Sequence, residues 1–187
     1  MSEVTQHKEA NAGPLGLLGF GMTTCLLNLH NAGVIELSVV IIAMGIAMGG
    51  LAQVIAGIME FKAGNTFGAT AFTAYGLFWW SLVIILVNPE KLGMPAADGK
   101  SMGFYLLLWC IFTVFMFIGT IKANHATQIV FATLAILFLL LALEHFTGSH
   151  VIGVVAGIEG IFCGASAIYT AVAGIVDGEF NKPIMPV

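Results

Sequence analysis

Arginine is missing from this 187-residue sequence, and charge of either sign is scarce, with six lysines and ten acidic residues forming 9% of the chain. So little charge cannot cover the surface of a soluble domain of this size. No basic run exists to hold nucleic acid. Without guanidinium groups, no bidentate clamp for a carboxylate can be built either. Cysteine is sparse and unpatterned: Cys25, Cys110 and Cys163 lack the paired spacing of a disulfide framework or metal site. There is no phosphate-binding glycine loop, no cluster of metal ligands and no serine–histidine–acid arrangement. The reading is of a protein that is not an enzyme and holds neither cofactor nor metal. The opening stretch "MSEVTQHKEANAG" lacks the basic-then-apolar layout of a cleaved leader.

What the sequence has in abundance is apolar length. Hydrophobic residues make up 59% and the mean hydropathy is +1.00. A bilayer core asks for about 20 apolar residues per helix. Six stretches qualify, at 14–30, 35–60, 67–87, 102–121, 126–146 and 149–176. The expected fold is an all-α membrane protein of six transmembrane helices. A tail over 1–13 precedes a membrane domain over 14–176, and a second tail follows over 177–187.

The lysines orient it. Lys8, Lys62, Lys122 and Lys182 fall on one side of six spans, and Lys91 and Lys100 on the other. The excess of positive charge in cytoplasmic loops then puts both termini in the cytoplasm of a cell whose inner membrane the chain crosses. Span 3 contains "GATAF" (68–72) and span 6 "GASAI" (164–168), a similarity consistent with a 3+3 inverted repeat. In span 6, Gly153, Gly157, Gly160 and Gly164 form a stripe of small residues for close helix packing, within the chain or between subunits.

The first span poses a question. "NAGPLGLLGFGMTTCLLNLHN" (11–31) is long and apolar enough for lipid, yet it holds asparagines, threonines and a histidine, and no carboxylate or lysine. Thr24 and Asn28 are candidates for hydrogen bonds to a polar solute. So are Gln53 on span 2 and Asn65, Thr66, Thr70 and Thr73 around span 3. Gln53 reads equally as a solute contact or as a bond between helices, because an unsatisfied amide in hydrocarbon is costly. On span 3 the threonines share one face, while Gly68, Phe72, Tyr75 and Trp79 share the opposite one. Trp79 and Trp80 near the span's end suit an interfacial belt. Glu60, beside Lys62, reads as a charge reaching the interface. Glu159 is the carboxylate placed well inside a span. It is a candidate for proton coupling by default.

"NAGPLGLLGFGMTT", "NLHN" and "GGLAQVIAGIMEFKAGNTFGATAFTAYGLFW" together resemble the acetate uptake transporter family, the group of bacterial acetate/succinate:proton symporters and fungal ammonia/acetate proteins. That family's signature begins Asn-Pro-x-Pro-Leu-Gly-Leu. Asn11, Pro14, Leu15, Gly16 and Leu17 match it, while Ala12 replaces the first proline. The resemblance implies a six-span protomer in a homohexameric ring, similar in fold to acid-activated urea channels, with one solute path per protomer. It marks Asn11, Leu15, Gly16 and Leu17 as binding candidates. It implies an apolar narrowing at Phe20, Tyr75 and Leu134; Glu159 belongs to none of its motifs. The expected partners are acetate or a similar small carboxylate and the lipid bilayer. Two readings stay open: proton-coupled transport of acetate and succinate, or a passive channel for acetate or a small neutral solute such as urea or ammonia.

Overall fold

The computed structural model describes residues 10–87 and 93–187. Lys8 and Lys91, used above for orientation, lie outside the described residues. Six helical rods follow one another: α1 (Gly13–Asn31), α2 (Val39–Lys62), α3 (Thr66–Leu86), α4 (Gly99–Gly119), α5 (His125–Thr147) and α6 (His150–Phe180). Five of these, α2 to α6, are long and apolar enough to cross a membrane. The 19-residue α1 is not among them, since Thr23, Thr24, Asn28, His30 and Asn31 dilute its apolar content.

Local chemistry explains the boundaries. Pro14 opens α1, where its missing N–H removes no helical bond. Asn65, Asp98 and Asn124 cap α3, α4 and α5, accepting from the backbone N–H groups of Gly68, Ser101 and Thr127 at 3.1, 2.8 and 2.8 Å. Gly148 ends α5 in the left-handed conformation at φ 67°. Beyond α6 the chain turns back on that helix. Asp177 accepts from the N–H groups of Ile184 and Met185, and the Tyr169 hydroxyl donates to the Pro186 carbonyl.

In lipid there is no hydrophobic drive between helices, so close approach through small residues has to hold the bundle. The glycine stripe of α6 does this against α1. Gly157 faces the backbone of Asn31 and Ala32, Gly160 the Asn28 side chain, and Gly164 the Gly21 carbonyl and Cys25. Gly153 instead meets Glu144 of α5. The stripe is thus used inside the chain.

Between Gly45 and Ala52, α2 widens into a π-helical segment. Its glycines let α3 come close, Gly49 against Trp79 and Gly50 against Trp80. Trp80 Nε1 donates to the Ile46 carbonyl at 3.1 Å, one of the backbone groups such a segment loosens. Helices α4 and α5 pack along their length, as do α5 and α6. Helices α3 and α4 meet mainly through aromatic rings, where Phe78 lies 5.1 Å from Trp109 and 5.8 Å from Tyr105 between centroids. The "GATAF" motif opens α3, whereas "GASAI" sits in the middle of α6, so the two motifs fall at different places along their helices.

Candidate solute path

Two cavities lie end to end between α1, α3 and α5. A large chamber of about 390 Å³ sits where α1, α3 and α5 finish, bordered by His30, Leu86, Met102 and His150. A small chamber of about 180 Å³ sits at the opposite end, bordered by Asn11, Glu60, Asn65 and Thr127. Phe20 and Leu134 line both, which makes them the partition. Both are buried, at 6% and 3% exposure. Tyr75 borders the small chamber, its ring centroid 6.3 Å from that of Phe20 and 5.5 Å from that of Phe112. The three residues expected at the narrowing are therefore brought together.

Helix α1 reaches the path with one stripe, Leu17, Phe20, Thr24, Asn28 and Asn31, at the three- and four-residue spacing of a helical face. That stripe explains the polar first span, since its amides and hydroxyls turn to a cavity and not to lipid. Asn28 is tied down, donating to the Thr24 carbonyl at 2.9 Å and accepting from Asn31 at 3.0 Å. The Thr24 hydroxyl is buried and has no partner among the described residues. In the small chamber, Gln53 donates to the Gly49 carbonyl at 2.7 Å. Asn65 donates to Glu60 Oε2 at 2.6 Å while its own oxygen caps α3.

Other candidates stand elsewhere. Leu15 is exposed, and Gly16 backs the Phe72 ring without reaching either chamber. Thr66 and Thr70 are exposed on the outside of α3, and Thr73 packs against Gly57 of α2. Helix α3 can turn only one face to the path, and the face of Gly68, Phe72 and Tyr75 takes it. Glu159 borders neither chamber; both its carboxylate oxygens are buried and unpartnered among the described residues.

Two residues depart from expectation in the other direction. Trp79 is no interfacial ring: it is 4% exposed, borders the large chamber, and its indole N–H has no partner among the described residues. The signal was its place on the Gly68–Phe72–Tyr75 face. Glu60 is not the exposed charge expected beside Lys62: it is 6% exposed and lines the small chamber as well as the outer groove that Lys62 borders. No lysine borders either chamber among the described residues. The large chamber's charge sits in Glu144, whose Oε2 is 3.4 Å from His145 Nε2, with His30 and His150 nearby on its wall.

Desolvation at a partition of apolar rings and a leucine disfavours a bare ion more than a methyl group.

The model of the GPR1/FUN34/yaaH family matches residues 1–186. The succinate-acetate/proton symporter SatP of Escherichia coli K12 is 51% identical over 181 residues, spanning 96% of this chain and 96% of that protein. Ammonia transport outward protein 2 of Saccharomyces cerevisiae is 39% identical, over 96% of this chain and 66% of the yeast protein. The solved structure of the bacterial acetate channel SatP superposes with a TM-score of 0.94 at 50% identity, covering 96% of this chain and 99% of that one.

Proposed function

The chain belongs to the GPR1/FUN34/yaaH family, and we propose that it carries acetate across a membrane, with succinate as a larger substrate, each acid moving together with a proton. The solute enters one chamber, passes the Phe20–Leu134 partition and leaves through the other, chemically unchanged. The observation that carries this reading is that these two residues alone border both chambers among the described residues. Thr24 and Trp79 supply hydrogen bonds on one side of the partition, and Gln53 and Asn65 on the other. Asn11 borders the mouth of the small chamber, and Leu17 its wall. Such amides and hydroxyls hold a carboxylic acid weakly enough to release it.

In this reading all six helices cross the membrane, α1 included, because its polar stripe faces the path. The small chamber faces the cytoplasm of a cell whose inner membrane holds the protein, with both termini on that side as the lysine distribution favours. The assembly is the hexameric ring implied by the resemblance, one path per protomer. A 3+3 inverted repeat finds its support in Glu60 and Glu144. Each sits near the end of the middle helix of its half, and they border chambers at opposite ends.

A passive channel for acetate is the second reading. It is favoured by a partition that, among the described residues, carries no charge, and by the channel named in the superposed structure. Labelled acetate uptake by liposomes of purified protein, with and without an inward proton gradient, separates the readings. Accumulation beyond protein-free vesicles supports coupled transport. A faster approach to the same final level supports a channel, and no excess at all defeats the acetate reading and makes urea and ammonia the next solutes to test.

A further inference from the structure

Four titratable side chains meet on the wall of the large chamber: His30 from the end of α1, Glu144 and His145 from the end of α5, and His150 from the start of α6. His30 Nδ1 lies 3.1 Å from the Ile35 carbonyl. That oxygen can only accept, so Nδ1 carries the hydrogen and Nε2 is left over. His145 Nε2 is 3.4 Å from Glu144 Oε2, and Glu144 rests on Gly153 of α6, where a Cβ would sit 3.2 Å from its Cγ. The start of α4 closes the same end, with Gly99 against the His145 carbonyl. Glu36, Asp98 and Lys100 stand at this end too, all exposed, and none of them lines the chamber.

The polar groups of the chamber form two tiers. Toward the partition, the Thr24 hydroxyl and the Trp79 indole N–H are buried without partners among the described residues. At the outer end are the imidazoles. Thr24 and His30 are separated by roughly 9 Å along α1, at about 1.5 Å of rise per residue. On α5 the wall between the tiers is apolar, with Leu137, Phe138 and Leu141 between Leu134 and Glu144. The Asn28 amide, also between them, is occupied by Thr24 and Asn31.

Two polar tiers across an apolar waist match a four-carbon diacid, whose carboxylates are set apart by methylenes. We propose that the large chamber is a two-point site for a dicarboxylate such as succinate. Thr24 and Trp79 hold the inner carboxylate, and the imidazoles of His30, His145 and His150 hold the outer one. While His30 is neutral its Nε2 can only accept, and Glu144 is the charge on this wall among the described residues. Imidazole takes up a proton between about pH 5 and 8. Nε2 then becomes a donor, and the wall turns from net negative to net positive. A charge-assisted bond to the outer carboxylate follows. Acetate, with one carboxylate, satisfies one tier only. This rests on the transport reading above and deepens it, because it names what captures the larger acid.

The test is the succinate concentration that gives half-maximal uptake into liposomes of purified protein, with the same pH on both faces. Between about pH 6.5 and 8 carboxyls stay largely ionised while imidazole changes charge, so titration of the substrate does not mimic the effect. The wild-type value for succinate should rise several-fold from the lower pH to the higher. Values for acetate and for monomethyl succinate, which keeps the length but has one carboxylate, should move far less. Combining His30→Gln, His145→Gln and His150→Gln should remove the pH dependence for succinate. Glu144→Gln should act in the opposite sense and lower the succinate value several-fold at neutral pH, a gain that a misfolded protein would not give.

A pH dependence that survives in the triple variant overturns the proposal. So does a Glu144→Gln value for succinate that is raised or unchanged. Equal shifts for succinate and monomethyl succinate overturn it as well, since the imidazoles would then serve any anion. Wild-type uptake of acetate without succinate defeats the two-point site and leaves the transport reading standing. Uptake of neither acid beyond protein-free vesicles brings down both.

Discussion

The Tyr75 hydroxyl lies 2.8 Å from Thr113 Oγ1, tying α3 to α4 at the edge of the small chamber. Thr113 donates its own proton to the Trp109 carbonyl at 2.7 Å, so the tyrosine is the donor of this pair. Tyr75→Phe removes that bond and leaves Thr113 with its backbone partner. The expected loss is about 1 kcal/mol of stability, seen as a lower unfolding temperature in detergent, with acetate flux largely kept. Lost flux at unchanged stability would show that the hydroxyl serves the solute.

Phe20→Ala and Leu134→Ala widen the partition between the chambers. Each truncation costs about 2–5 kcal/mol of stability, so variants are compared only where they remain folded. Succinate flux should rise relative to acetate flux in liposomes. An unchanged ratio would mean that the solute is selected elsewhere.

Thr24→Val removes a buried hydroxyl that has no partner among the described residues. The fold should be at least as stable, because an unsatisfied polar group is replaced by a methyl of similar size. Acetate uptake should need a higher concentration to reach half-maximum. If half-saturation stays put, the hydroxyl takes no part in holding the solute.

Glu159→Gln and Thr70→Val alter residues that border neither chamber. Both variants should transport acetate like the wild type across the pH range. A loss of proton-gradient dependence in Glu159→Gln would instead assign the coupling to that carboxylate.

Asp98 gives a pH signature outside the membrane-spanning segments. Hydrogen bonds from the Ser101 hydroxyl and the Ser101 N–H hold its carboxyl below the usual range. A depressed folded-state value means that the contribution is present above the unfolded-state value of about 3.9. It is lost as pH falls through the folded one. Asp98→Ala should therefore lower the unfolding temperature at neutral pH, and the gap should shrink toward pH 3. A gap that persists in acid would place the effect in packing.

The sequence by itself determined the helices, their caps and one face of the path. Apolar length, Pro14, Asn65, Asp98 and Asn124 are local signals that act wherever the chain goes. The resemblance carried by the first three spans pointed to Phe20, Tyr75 and Leu134, which do come together. Which other residues meet the solute was decided by tertiary structure. In a membrane bundle the outside is as apolar as the inside, so hydrophobic pattern cannot mark the inward face of a helix. On α3 the threonine and aromatic faces were equally legible, and packing against α1, α2 and α5 turned Thr66 and Thr70 out and Tyr75 and Trp79 in. Glu60 looked like an interfacial charge beside Lys62 until Asn65 of the following turn drew it inward. Glu159, deep in its span, looked like a coupling group and lies off the path, because proximity to a cavity is a relation among helices and has no trace in one helix alone.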